Sequence, residues 1–196
     1  MFTFCDICYA QFQLEAGIRY FDLRVAYMKE SFYIVHGLQC MEIIELFRDV
    51  SKFLELHSKE VVLLDINHFY EFYKVDGLHE KLLKMIDTTF GDKLIERPEN
   101  TKAALSYTLN KLWTGQGRVI VFYQYHQKNG CIRTEEGCNC IELPKYVWDS
   151  RFIKSPWPKT DNAQKMISDI TSFLNERVVE NGFQAQLLRS STNNLK

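Results

Sequence analysis

The sequence lacks any long apolar run and any large excess of charge of one sign. It has 196 residues, of which 46% are hydrophobic, and a formal net charge of −1. Apolar runs such as residues 61–64 are far shorter than the ~20 residues of a membrane-spanning helix, and no charged-then-apolar signal peptide opens the chain. Balanced charge argues against a broad basic surface for nucleic acid. We therefore expect a soluble, cytoplasmic single domain over residues 1–196, with no nucleic-acid partner and no transmembrane segment.

The cysteines do not form a common zinc-binding pattern. They are Cys5, Cys8, Cys40, Cys131, Cys138 and Cys140. Neither the Cys-x-x-Cys pair at residues 5–8 nor the Cys-x-Cys pair at residues 138–140 has the partner spacings and histidines of zinc sites. Cys40 is expected to open an amphipathic helix as a buried free thiol. The prediction is that no metal is bound, although four thiolates could still converge in space.

Strand-like and helix-like segments alternate along the chain, which has no repeat and no long flexible linker. The β-prone segments are residues 19–25, 32–35, 61–66 and 118–123. The segments with helical spacing of apolar residues are 43–54, 78–86 and 166–178. Asp161 or Asn162 is placed to cap the last helix. This alternation predicts an α/β fold whose helices each cover a sheet face, interrupted by a loop excursion at residues 126–160.

Polar side chains lie near the ends of the predicted strands. Asp22 and Arg24 alternate onto one face of the first strand, and His36 follows the run at residues 32–35. Asp65 and Asn67 share a face of a later strand. The carboxyl ends of strands form the ligand crevice in barrels and open α/β sheets. A cation, an imidazole and polar groups are therefore expected to converge on one crevice.

Such a group of side chains suits transfer at a phosphodiester. The Arg24 guanidinium would offset charge on the non-bridging oxygens, and the His36 imidazole would protonate the departing alkoxide. The residues alone leave another interpretation open. In it, Asp22 and Arg24 form a structural ion pair and His36 is a hydrogen-bonded core histidine.

Three motifs resemble the phosphatidylinositol-specific phospholipase C X-domain family. They are GIRYFDLR at residues 17–24, YIVHG at 33–37 and KEVVLLD at 59–65, with weaker likeness at 117–123 and 155–157. The resemblance implies a distorted TIM-type barrel, of which roughly five of the eight strands would be present. It also implies a phosphoric diester hydrolase that acts on an inositol phospholipid while associated peripherally with a membrane. In that reaction the inositol 2-hydroxyl attacks phosphorus and diacylglycerol departs.

The resemblance assigns roles by position. His36 matches the family's general-acid histidine, whereas Asp22 and Arg24 match a Glu-x-Asp metal pair of calcium-dependent relatives. Metal-independent bacterial relatives also have arginine there, so the resemblance implies catalysis by His36, Arg24 and Asp22 without calcium or a cofactor. Asn67 falls at a polar strand-end position, which implies substrate binding by Arg24 and Asn67.

One family feature has no counterpart in these residues. The family takes its general base from a histidine in a Gly-Ser-His-Asp-Ser-like motif upstream of residues 13–17. Weak or absent activity is therefore expected, and the alternative is a catalytically inactive phosphoinositide-binding or regulatory fragment. Asp65 receives no role, and Trp148 and Trp157 are expected to pack inward. The remaining histidines are interpreted as ordinary surface or packing residues: His57, His68, His79 and His126.

Overall fold

The computed structural model describes residues 10–99, 101–104, 106–124, 132–134, 137–139, 143–149, 152 and 159–180. The helices are α1 Ala10–Glu15, α2 Ile43–Leu56, α3 Leu78–Phe90, α4 Thr101–Ala104, α5 Leu109–Thr114 and α6 Ala163–Glu180. The strands are β1 Tyr20–Met28, β2 Ser31–Val35, β3 Gln39–Glu42, β4 Val62–Tyr70, β5 Val119–Tyr123, β6 Ile132–Thr134, β7 Gly137–Asn139 and β8 Val147–Asp149. The four predicted strands and three predicted helices are thereby confirmed.

The main sheet has six strands in the order β3-β2-β1-β4-β5-β8. Strands β1, β4, β5 and β8 run parallel, whereas β2 is antiparallel to both β1 and β3. Helices lie in the connections between the parallel strands β1, β4 and β5, which confirms the α/β class and matches part of a TIM-type barrel. The described residues contain four mutually parallel strands, of which β1, β4 and β5 were predicted from the sequence and β8 was not. Residues 184–188, which resemble the start of a further strand of the family's barrel, lie outside the described residues.

Residues 32–35 form the return strand of a β-hairpin, not the next parallel strand. β1 and β2 are joined by Lys29 and Glu30, whose φ angles of 51° and 61° are both positive. Such left-handed geometry closes a two-residue hairpin because its twist matches that of the flanking strands. His36 therefore follows a strand that runs back alongside β1.

The two faces of the sheet carry different partners. One face packs its aliphatic residues, among them Leu64, Ile66 and Val121, against the apolar stripes of α2 and α3. The other face, which we call the inner face, bears Leu63, Ile120, Phe122 and Trp148. Successive side chains of a strand point to opposite faces, so one continuous apolar run supplies both.

Arg19 fixes the start of β1 to the segment before β4. Its Nε lies 2.7 Å from Oε2 of Glu60, and its guanidinium lies 4.5 Å from the ring centroid of Phe53. Nη1 also donates to the carbonyl of Leu14 over 2.6 Å. This arginine of the GIRYFDLR motif therefore has a structural role, because it binds together the two strands that hold the site.

The predicted loop excursion at residues 126–160 is wrong for Val147–Asp149. These residues form β8, which extends the sheet beside β5. Trp148 is fully buried, and its Nε1 donates to the carbonyl of Ile95 over 2.8 Å, so its inward packing is confirmed. A three-residue strand is too short to show periodicity, which is why the sequence did not indicate it. Trp157 lies outside the described residues.

Two further expectations differ from the structure. α6 begins as predicted at an Asn162 cap, whose Oδ1 accepts from the Lys165 backbone over 2.9 Å, but its residues 163–172 are exposed and cover no sheet face. Cys40 is a half-buried free thiol in β3. It does not open the helix as predicted, because α2 begins only at Ile43. Amphipathic spacing predicts a helix but not whether it packs, because an apolar stripe can remain exposed.

No helix within the described ranges is long and apolar enough to span a bilayer.

Candidate active site

Two carboxylates lie side by side on the inner face. Asp22 of β1 is in register with Asp65 of β4, and Asp65 is in register with Phe122 of β5. Neighbours in register on parallel strands project to the same face. The centre of the inner face therefore combines an exposed carboxylate, Asp22, with a buried one, Asp65.

A β-bulge in β4 brings two more polar side chains to this face. The pairing passes from Leu23↔Ile66 to Arg24↔His68, so Asn67 is one extra residue on β4. Bulges re-aim side chains and often occur next to active sites. After the bulge, Phe69 returns to the helix-covered face, whereas the His68 ring stacks with Tyr70 at 6.3 Å between centroids. Asn67 and His68 consequently both lie alongside the polar residues of β1.

The amide of Asn67 connects Asp22 to His68. Its Nδ2 donates to Oδ1 of Asp22 over 2.7 Å, and its Oδ1 lies 2.7 Å from Nδ1 of His68. A carboxylate and an amide oxygen can only accept, so Nδ1 of His68 must carry the proton in this contact. The neutral imidazole then has its lone pair on Nε2. One hydrogen-bonded chain thus fixes both the orientation of the amide and the tautomer of the histidine.

Asp65 is a carboxyl group with incomplete hydrogen bonding. Its exposed fraction is 5%, and its Oδ2 accepts from the Tyr20 hydroxyl over 2.6 Å. Its Oδ1 is buried and has no partner among the described residues. Burial raises the pKa of Asp65 and the charge of Asp22 adds to the rise, while neighbouring Tyr20 and Asn67 oppose it. The neutral form of Asp65 is therefore favoured relative to an ordinary aspartate.

Arg24 is a half-buried cation without a carboxylate partner in the described part of the chain. The ion pairs recorded there are Arg19–Glu60, Lys74–Glu71 and Lys93–Glu55. Asp22 instead accepts from Asn67, so the interpretation of Asp22 and Arg24 as a structural ion pair is wrong. No described carboxylate therefore neutralises the charge of this guanidinium.

His36 is exposed and follows β2 directly, so its interpretation as a core histidine is also wrong. Its backbone nitrogen donates to the carbonyl of Leu38 over 3.0 Å, and Gly37 adopts a φ of +70°. This tight turn directly follows β2, which pairs with β1 through Val25↔Ile34. The structure records no hydrogen bond between the His36 imidazole and the other described site residues.

Two other histidines lie away from the inner face. His79 of α3 is buried, and its Nδ1 lies 2.7 Å from the hydroxyl of Tyr123. Burial lowers the pKa of His79 to about 4. His57 directly follows α2, and its Nδ1 lies 2.9 Å from the carbonyl of Phe53. Both have packing contacts, as predicted, whereas His126 lies outside the described residues.

The sequence did not indicate the contacts of His68 and Tyr20. Strict alternation would have sent His68 to the helix-covered face, because nothing in the residue pattern shows the bulge at Asn67. From the sequence, Tyr20 is only an aromatic residue of the kind that favours β-strands. Its hydrogen bond to Asp65 depends on how β1 and β4 pair, which the sequence does not show. The available signal was the run of polar residues Asn67 and His68 directly after an apolar strand.

The strand order and the polar cluster on the inner face define an α/β protein with a candidate site on a partly parallel sheet. The sequence model of the family described as "Phosphatidylinositol-specific phospholipase C, X domain" matches residues 5–125. The chain belongs to this family, so the resemblance carried by residues 17–24, 33–37 and 59–65 is confirmed.

Curated relatives support the same assignment. PI-PLC X domain-containing protein 3 of Danio rerio is 33% identical over 169 residues, which cover 84% of this chain and 47% of the relative. PI-PLC X domain-containing protein 2 of Mus musculus is 32% identical over 176 residues, which cover 87% of this chain and 46% of the relative. The chain thus spans about half the length of the curated relatives it matches.

Solved structures show weaker likeness. The phosphatidylinositol-specific phospholipase C of S. aureus aligns with a TM-score of 0.45 and 17% identity, over 59% of this chain and 38% of that one. PLC21 of S. officinalis aligns with a TM-score of 0.47 and 15% identity, over 69% of this chain and 17% of that one.

Proposed function

We propose that this chain is a calcium-independent phosphoric diester hydrolase that cleaves the glycerol-side phosphodiester of inositol phospholipids. The observation that carries the proposal is the Arg24 guanidinium, which lacks a carboxylate partner in the described residues and lies beside the Asp22–Asn67–His68 chain. A half-buried, unpaired arginine among hydrogen-bonding groups is suited to a phosphate, because its fork matches two phosphate oxygens. Membership of the X-domain family supports this choice of substrate.

In the proposed reaction Arg24 binds the non-bridging oxygens and offsets the charge that grows as the nucleophile attacks. His36 protonates the departing alkoxide of diacylglycerol as the general acid. Asn67 holds one oxygen of Asp22, and the exposed position of Asp22 leaves its other oxygen to accept from an inositol hydroxyl. Asp22 and Asn67 together would orient the inositol ring.

Calcium independence rests on the residue at position 24. A divalent cation and a guanidinium can both neutralise a phosphate, and a cation bound next to Arg24 would be repelled by it. In this proposal the guanidinium of Arg24 therefore supplies the positive charge that calcium supplies in calcium-dependent enzymes.

The substrate resides in a bilayer, so the proposal includes a cytoplasmic protein that attaches peripherally to a membrane. Leu38 and Tyr70 are 41% and 43% exposed and lie two residues from His36 and His68 respectively. Exposed apolar and aromatic side chains next to a lipid-cleaving site are suited to contact with headgroups.

The test is release of inositol phosphate from phosphatidylinositol vesicles by residues 1–196 in the presence of a calcium chelator. We expect product from the unaltered chain and a loss of about 10²–10⁴-fold in His36→Ala, the usual contribution of a general acid. Chelator-sensitive activity would contradict calcium independence. A folded chain that binds the vesicles but releases no product would support the inactive binding fragment instead.

A further inference from the structure

The amide side chain of Gln124 lies on the inner face beside Asn67. Gln124 directly follows β5, and its backbone nitrogen donates to the carbonyl of Ile66 over 2.8 Å, so it continues the pairing of β5 with β4. Phe122 packs on the inner face and Tyr123 on the helix-covered face, and alternation therefore returns the side chain of Gln124 to the inner face. Because Tyr123 pairs with Ile66, the residue of β4 at the level of Gln124 is Asn67.

This amide has unused hydrogen-bonding capacity. The side chain of Gln124 is half-buried, and the structure records no hydrogen bond between it and another described residue. A glutamine side chain has two N–H donors and a carbonyl acceptor. Polar groups withdrawn from water are normally hydrogen-bonded, and each exception needs a physical explanation. The amide of Gln124 is therefore available to a polar group of a bound molecule.

The parallel strands provide a single fixed cation for this face. Arg24 is the only lysine or arginine in strands β1, β4, β5 and β8. It lies two residues from Asp22, which is in register with Asp65. The charge of Asp22 contributes to the raised pKa of Asp65, so the two carboxyl groups are close enough to interact. In the proposed function Arg24 binds the phosphodiester itself. These strands therefore provide no second cation for a further phosphate on the headgroup.

A phosphate on the inositol ring would meet an unfavourable electrostatic environment beside Asp22. A phosphate monoester carries about −1.5 to −2 charge near pH 7. Two like unit charges about 6 Å apart, at an effective dielectric constant of about 20, repel by an amount equivalent to about a hundredfold in affinity. Ring hydroxyls, in contrast, both donate and accept hydrogen bonds. They suit the exposed carboxylate of Asp22 and the neighbouring amides of Asn67 and Gln124.

We infer that this site accepts inositol without ring phosphates, and that Gln124 is a specificity-determining residue that forms a hydrogen bond with a hydroxyl of the ring. The inference rests on the proposed function and narrows its substrate to phosphatidylinositol. A neutral amide is suited to a hydroxyl, whereas the charge of a phosphate is better matched by lysine or arginine. Gln124→Lys should therefore change the headgroup preference of the site.

The experiment compares the unaltered chain with Gln124→Lys, Gln124→Ala and Gln11→Lys. The substrates are vesicles that contain phosphatidylinositol or a phosphatidylinositol monophosphate with its phosphate at position 3, 4 or 5 of the ring. Phosphatidylserine is added so that all vesicles have the same surface charge, because a change in general membrane attraction would otherwise imitate a change in headgroup preference. Gln11→Lys is the matched control, since Gln11 is exposed on α1, which leads into the amino end of β1.

For the unaltered chain we expect kcat/KM on phosphatidylinositol to exceed that on each monophosphate by about a hundredfold, because of the repulsion at Asp22. Gln124→Ala should raise KM on phosphatidylinositol by about threefold to tenfold with little change in kcat, because one neutral hydrogen bond to the headgroup is lost. Gln124→Lys should improve the ratio of monophosphate to phosphatidylinositol activity by about tenfold or more for at least one ring position, because an ammonium replaces a neutral amide. Gln11→Lys should leave every ratio unchanged.

Urea unfolding of each variant shows whether it is folded. If Gln124→Lys does not fold, the lipid preference of the unaltered chain and the KM of Gln124→Ala still decide. Equal kcat/KM on phosphatidylinositol and a monophosphate, or a preference for the monophosphate, would overturn the headgroup inference while the proposed hydrolase function stands. An unchanged KM in Gln124→Ala together with unchanged ratios in Gln124→Lys would exclude Gln124 from the headgroup site. No product from any of the lipids would overturn the proposed function itself, and this inference with it.

Discussion

The side-chain nitrogen of Asn67 lies 2.7 Å from Oδ1 of Asp22 on the neighbouring strand, and the same amide accepts from His68. Asn67 is the extra residue of a β-bulge, so no residue of β1 is in register with it. Both contacts are made by its side-chain amide. Two side chains of the candidate site are thus oriented by a third. Removing the amide should disturb both of them at once.

We predict that Asn67→Ala lowers kcat/KM on phosphatidylinositol by tenfold or more. A hydrogen bond to a charged group contributes about 1.5–3 kcal/mol, and a tenfold change corresponds to about 1.4 kcal/mol. Steady-state assays on vesicles measure the effect. Asn67→Asp should be at least as impaired, because it places a second carboxylate against Asp22. An unchanged kcat/KM in both variants would mean that Asp22 needs no support.

Arg24→Lys should fail to preserve activity although it preserves charge. Lysine lacks the planar fork that binds two phosphate oxygens, so we expect kcat to fall by about 10²-fold or more. Arg48→Lys on the exposed side of α2 is the matched control and should be unaffected. Full activity of Arg24→Lys would contradict this prediction, because it would show that a point charge is enough at this position. Rescue of the variant by added calcium would show that a metal ion can replace the guanidinium.

Tyr20→Phe should destabilise the protein by about 1.5–3 kcal/mol at pH 7, since it leaves the buried carboxylate of Asp65 without its hydrogen-bond donor. The folded-state pKa of Asp65 is already raised by burial. The loss should shrink as the pH falls through that raised pKa, because a protonated carboxyl is easier to bury without a partner. Urea unfolding at a series of pH values from neutral to acidic measures the free energy of unfolding. Tyr33→Phe, which removes a more exposed bond to Glu42, should lose less than Tyr20→Phe at pH 7.

His79 should make the protein sensitive to acid. Its pKa is lowered to about 4 in the folded state, whereas an unfolded histidine titrates near 6.5. The unfolded chain therefore binds more protons between these values, so stability should fall as the pH decreases from about 6.5 to 4, by up to about 3 kcal/mol. His79→Phe should flatten this part of the pH profile, and His57→Asn should not. Identical profiles for His79→Phe and the unaltered chain would rule out His79 as the acid-sensitive group.

Much of the fold could be predicted from the sequence because it depends on periodicity. The run at residues 119–123 is buried on both faces, and the stripes of α2 and α3 meet the sheet as their spacing indicates. The antiparallel course of β2 could not be predicted, since it depends on a two-residue turn formed by Lys29 and Glu30 rather than by glycine. Strand β8 was not predicted because three residues are too few to show the alternation of side chains that indicates a strand.

The candidate site was predictable in composition but not in geometry. Asp22, Arg24, His36 and Asn67 were identified as residue types near strand ends, and the structure brings Asp22 and Asn67 into contact. The sequence suggested an Asp22–Arg24 ion pair as one possibility, yet the bulge at Asn67 gives Asp22 a different partner. Bulges depend on how two strands from distant parts of the chain pair, so residue order alone does not reveal them.

The bulge at Asn67 also shows how the inner face of the sheet can gain a side chain by insertion. Ile66 and Phe69 both pack on the helix-covered face although they are three residues apart, because the extra residue absorbs the change of phase. An insertion of one codon at this point leaves the packing before and after it intact and adds a polar group to the opposite face. An insertion elsewhere in β4 would reverse every following side chain. Between Ile66 and Phe69, therefore, β4 can contain one extra residue while the side chains before and after it keep facing the same sides of the sheet.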